Sequence, residues 1–134
     1  MISIAFIKRV FIFACGGFGA MAIDIAMARW LLELTQMPLL SRMVAFGFAV
    51  ICTWLFHRSL TWQVTKVASF AEFGHFVSVS AIGMVVNLTV SLTIAYWLGG
   101  ASGLTWGIFC GSISGAALNF IGYTYVFKSA KTGS

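Results

Sequence analysis

Four apolar stretches, at about residues 10–32, 39–58, 73–98 and 105–127, occupy most of this 134-residue chain. Each approaches or exceeds the roughly 20 residues that a helix needs to cross about 30 Å of hydrocarbon. The second is densest from Leu39 to Phe56 and continues through His57 and Arg58. Apart from Arg58 at the end of the second, the charges within the apolar runs are Asp24, Arg29 and Arg42. A backbone surrounded by lipid must satisfy its own hydrogen bonds, so the runs are expected to be helices. The expected fold is all-α, an integral membrane four-helix bundle forming one transmembrane domain over residues 1–134.

Composition leaves few alternatives. Hydrophobic residues make up 60% of the chain and charged residues 8%, against roughly 25% charged in soluble domains. Three acidic residues and two histidines are too few for rich acid–base or metal chemistry, so no enzyme, metal site or cofactor is expected. The net charge of +5 forms no basic stripe suited to a phosphate backbone, and nucleic acid is not an expected partner. Cys15, Cys52 and Cys110 each lie inside an apolar run and read as reduced packing residues. Five residues separate Arg9 from Cys15, short of the roughly 7–15 of a signal-peptide core. The first run therefore reads as a span.

The connections differ in character. Glu33–Pro38 and the Gly99–Gly103 segment read as tight hairpins, whereas His57–Glu72 is longer and basic. Lys8, Arg9, Arg58, Lys66, Lys128 and Lys131 fall on the side of the termini and the middle connection; Arg29 and Arg42 fall on the hairpin side. The positive-inside rule then puts both termini in the cytoplasm. Trp62 and Trp97 read as interfacial belt residues.

Small residues recur every fourth position. The stripes are Gly16, Ala20, Asp24 and Ala28; Ser41, Ala45, Ala49, Thr53 and His57; Gly83, Asn87, Ser91 and Ala95; and Gly107, Gly111, Gly115 and Asn119. Such stripes let helices approach closely in lipid, where the hydrophobic effect does not drive association. Packing accounts for the glycines and alanines but not for a polar residue in each stripe. The Gly107, Gly111 and Gly115 seam suits either another helix of the chain or a second copy, and a homo-oligomer, most simply a dimer, is expected. Asp24 matches Asn87, and Thr61-Trp62 matches Val126-Phe127, so the chain reads as two parallel two-helix repeats.

The layout resembles the GtrA-like family of small four-span membrane proteins over roughly Arg9 to Lys128. The resemblance is carried by Arg9-Val10-Phe11 leading to Gly16-Gly17, by Asp24, and by the stretch from Thr53 to Trp62. His75-Phe76, Asn87, Asn119-Phe120 and Val126-Phe127 continue it. His57 stands where that family usually has Asn, His75 where Arg is common, and Tyr123-Thr124 where a basic residue is common. The resemblance implies translocation of a polyprenyl-phosphate-linked sugar across the bacterial inner membrane, for periplasmic glycosyltransferases that modify polysaccharide, O-antigen or lipid A. On that reading Asp24, Thr53, His57, Asn87 and Asn119 are substrate-contacting candidates, with Ser91 and Ser112 as further hydroxyl partners. Arg9, Arg58 and His75 would hold the phosphate on the cytoplasmic side, and Arg42, the expected partner of Asp24, would receive it outside. Two rival readings are a membrane scaffold that recruits a glycosyltransferase and a small multidrug-resistance-type exporter. That exporter family depends on a first-helix glutamate, where this chain has Asp24. Neither the Gly16-Gly17-Phe18-Gly19 run nor the Gly122–Ser129 segment forms a nucleotide loop.

Overall fold

The computed structural model describes residues 3–132, with the side chains of Arg42 and Ala101 outside the description. Among the described residues the chain forms four long helices and no strand. They are α1 (Ile4–Thr35), α2 (Pro38–Phe56), α3 (Phe70–Leu98) and α4 (Gly100–Thr132). One π-helical turn, His57–Thr61, extends α2. All four helices are long and apolar enough to cross a membrane, and the protein is a multi-pass membrane protein. The helices overrun the apolar runs at several ends, because capping rather than hydropathy sets a helix terminus. The Ser3 and Ser69 side chains accept from the Phe6 and Glu72 amides and start α1 and α3.

The chain divides into two compact units, residues 1–65 and 66–134, each a helical hairpin. In the first, α1 ends on Gln36 in a left-handed conformation (φ 54°). Pro38 opens α2, so residues 36–37 suffice to reverse the chain. In the second, the expected five-residue glycine turn is shorter. Only Gly99 lies outside the helices, and α4 begins at Gly100. Positive φ at Gly99 (65°) and Gly100 (58°) makes this tight reversal possible, since a Cβ at either position would be strained.

Each hairpin is packed inside out relative to a soluble domain. Small and polar side chains such as Ser41, Ala45 and Ala49 are buried, while Phe18, Leu39, Met43, Leu92 and Trp97 are exposed. In lipid this is the expected arrangement, because exposed aliphatic surface carries no penalty. Hydroxyls on the outer faces avoid the lipid by bonding to their own helix. Ser78, Thr89 and Thr93 donate to the carbonyls four residues back at 2.7–2.9 Å.

Candidate functional site

The first hairpin follows the expected stripes. Ser41, Ala45, Ala49 and His57 are buried on one face of α2, and Gly16 is buried on α1. A Cβ added to Gly16 would come within 2.6 Å of the His57 ring and 2.8 Å of the Phe56 ring. Glycine here is what lets the imidazole lie against the α1 backbone. Thr53 is half-buried and donates to the Ala49 carbonyl at 2.6 Å. It lines a small cavity of about 90 Å³ with Gly16, Ala20, Cys52 and Phe56. Asp24 is half-buried, and its Oδ1 is shielded from solvent. The Arg42 side chain, its expected partner, lies outside the described residues.

At the end of this hairpin His57 stacks on Phe13, with centroids 5.0 Å apart and planes inclined by 22°. Trp62 meets both rings edge-on at 6.2 and 5.7 Å. The Trp62 amide donates to the His57 carbonyl at 2.9 Å, which is the five-residue spacing of a π turn. His57 Nδ1 lies 3.0 Å from Thr61 Oγ1. Trp62 is therefore a core residue, 4% exposed, and the belt position expected for it is corrected. The π turn rotates the indole inward, a displacement that hydropathy does not encode. Trp97, 79% exposed, does face outward.

Arg58 is also buried. Its Nη1 donates to the Val64 carbonyl at 3.1 Å, and the Val64 amide donates to the Arg58 carbonyl at 2.8 Å. The guanidinium thus secures the chain leaving the π turn. Arg9 and His75 are exposed on α1 and α3.

The second hairpin is tighter. A Cβ on Gly115 would lie 2.7 Å from the Gly83 carbonyl oxygen, and one on Gly103 would lie 2.9 Å from that of Ala95. Gly107 and Gly111 similarly face Ser91 and Asn87. The glycine seam is thus consumed within the hairpin, α4 against α3, and it offers nothing to a second copy. Asn87 sits in the seam, with its Oδ1 accepting from Ser91 Oγ at 3.1 Å. Asn119 lies directly over Gly83, and its buried Oδ1 has no hydrogen-bond partner among the described residues. Asn87 and Asn119 are both half-buried.

An aromatic cluster closes this hairpin too. Phe76 stacks on Tyr123 at 4.4 Å and 20°, and Phe127 packs against both at 6.1 and 6.3 Å. The Tyr123 hydroxyl lies 2.6 Å from Ser80 Oγ. The sequence reading singled out His75-Phe76 and Tyr123 but not their stacking. The clue was available, since Phe13 and His57 precede Phe76 and Tyr123 at nearly the same offset that relates Asp24 to Asn87.

No curated protein and no solved structure gives a significant match to the chain. A family model does: the GtrA/DPMS transmembrane domain matches residues 12–128, which include both hairpins and their aromatic ends. The chain belongs to the GtrA/DPMS transmembrane-domain family.

Proposed function

We propose that the protein translocates a polyprenyl-phosphate-linked sugar from the cytoplasmic to the periplasmic face of a bacterial inner membrane. The observation that carries this reading is the family match over residues 12–128. The hairpins add support, for Asp24, Thr53, Asn87 and Asn119 are polar side chains inside spans. Such residues are costly in a membrane and mark substrate paths far more often than they serve as ornament. A sugar phosphate left alone in hydrocarbon costs many kcal/mol, and polar contacts along a protein face lower that barrier while the polyprenyl tail remains in lipid. On this reading the protein is a non-enzymatic transporter that delivers substrate to a membrane glycosyltransferase. Both termini are cytoplasmic, and the two hairpins are copies of one two-helix unit. The matching Phe13–His57 and Phe76–Tyr123 stacks support the last point.

The test is a reconstitution. Proteoliposomes carrying a fluorescent polyprenyl-phosphate sugar in both leaflets are exposed to an impermeant quencher. Full quenching with protein, against half without it, is the expected result; half quenching in both removes the translocation reading. Orientation is checked in a cysteine-free background with single cysteines replacing Val67, which is 94% exposed, and Ser102. The first should react only from the cytoplasm and the second only from the periplasm.

The closed glycine seam of the second hairpin favours one further reading, a scaffold that recruits a glycosyltransferase without moving lipid. It predicts that the protein co-purifies with such an enzyme yet leaves the reconstituted lipid unscrambled.

A further inference from the structure

At the turn end of the first hairpin, Arg29 borders an open apolar cavity of about 280 Å³ between α1 and α2, with Ile25, Ala28 and Leu32 along one wall and Pro38 and Ser41 on the other. Arg29 is exposed and forms no ion pair or side-chain hydrogen bond among the described residues. It lies six residues before the end of α1, about 9 Å along the axis. Arg29 thus lies near the turn end of α1, toward one end of the span. Glu33 follows one turn later on the same face, also exposed and also without an ion pair among the described residues. Residues at this spacing have Cβ atoms about 5–6 Å apart, so a cation that lines the groove and an anion one turn beyond it are neighbours on α1.

The floor of the groove offers no free polar group. Ser41 Oγ donates to the Met37 carbonyl at 2.9 Å and lies 3.1 Å from Thr35 Oγ1, which in turn donates to the Leu31 carbonyl at 2.8 Å. A sugar head would find few hydroxyl partners there. A lone anionic head would be drawn to Arg29 and repelled by Glu33. A zwitterion with phosphate and ammonium separated by two carbons satisfies both charges, and a primary ammonium, unlike a quaternary one, also donates hydrogen bonds to the Glu33 carboxylate, while the acyl chain fills the apolar groove.

We propose that this groove is a binding site for a zwitterionic glycerophospholipid, with the phosphate of a phosphoethanolamine head on Arg29, its ammonium on Glu33, and the start of one acyl chain between α1 and α2. The site is independent of the translocation reading, and no step of transport is routed through it.

Native mass spectrometry of the full-length protein, extracted from nanodiscs containing equal phosphatidylethanolamine, phosphatidylglycerol and phosphatidylcholine, tests the proposal. Wild-type protein should retain phosphatidylethanolamine over either other lipid by about fivefold, the scale of one exposed ion pair. Arg29→Gln should lose that retention, and Arg29→Lys should keep most of it. Glu33→Gln should still hold lipid but no longer distinguish phosphatidylethanolamine from phosphatidylglycerol. Absence of any preference in the wild-type protein overturns the proposal whether or not the variants fold. So does unchanged retention in Arg29→Gln, or an undiminished preference in Glu33→Gln.

Discussion

The two hairpins share several features and are filled differently. Both turn tightly, both bury a face of small residues, and both end in a stacked aromatic pair, Phe13–His57 in one and Phe76–Tyr123 in the other. The first seam on α2 runs through Ser41, Ala45 and Ala49, and its neighbourhood carries Asp24, Arg29 and Arg58. The second runs through Gly103, Gly107, Gly111 and Gly115 and holds neutral amides. Glycine allows backbone-to-backbone contact and leaves no space. Alanine, serine and threonine keep the helices slightly further apart and leave the two cavities bordered by Thr53 and Arg29. The contrast assigns rigidity to the second hairpin and charge chemistry to the first.

That contrast can be broken most forcefully at Gly111. A leucine there must push into the Asn87 and Ser91 segment of α3, and overpacking of this kind costs at least about 1–3 kcal/mol. Gly111→Leu is expected to abolish folded protein in detergent, as read by size-exclusion profile and thermal melt. Gly17→Ala, where nothing lies within 4 Å, should leave both unchanged. Equal tolerance at the two sites would mean that the seam is not a close contact.

The next effect concerns Asp24, which the proposed repeat pairs with Asn87. Asp24→Asn removes the charge from the first seam while preserving size. Translocation in the quenching assay should fall by about tenfold or more, corresponding to at least about 1.4 kcal/mol of barrier, with insertion unaffected. A wild-type rate would show that the carboxylate is structural and that the charge difference between the hairpins has no bearing on transport.

Arg58 and Lys128 sharpen the comparison at the opposite end from the turns. Arg58→Met removes the donor to the buried Val64 carbonyl, a loss of about 1.5–3 kcal/mol, and should make residues 62–69 more sensitive to protease. Lys128 is exposed on α4, and Lys128→Met should stay within about 0.5 kcal/mol of wild type. A similarly small effect is expected for Tyr123→Phe, which deletes the contact with Ser80 but keeps the stack on Phe76. A hydrogen bond between membrane helices is worth about 0.6 kcal/mol on average, so the melt should shift by only a few degrees.

The spans and the small-residue faces were legible in the sequence because lipid imposes simple rules of length and spacing. Ala45, Ala49, Gly107 and Gly111 are buried as their four-residue periodicity required. The inward rotation of Trp62 was not legible, since it depends on a π turn whose hydrogen bonds link His57 to Trp62 and leave no mark on hydropathy. Nor was the fate of Arg58. A cation after an apolar run looks the same in sequence whether it meets a phosphate or a carbonyl six residues along its own chain. Nothing in the sequence marks Arg29 and Glu33 as a pair beside a groove, because that groove exists only once α2 folds back on α1.

The shortness of the turns ties the two helices of each hairpin to one another. Two residues in one hairpin and a single glycine in the other lie outside helix, and the Gln36 and Gly99 amides are already bonded to the Leu32 and Ala95 carbonyls. Little bare peptide is left at the turn to be shielded from the hydrocarbon, and the two helices of a pair have no slack to separate along their axes. In each folded pair, therefore, the orientation of the first helix dictates that of the second.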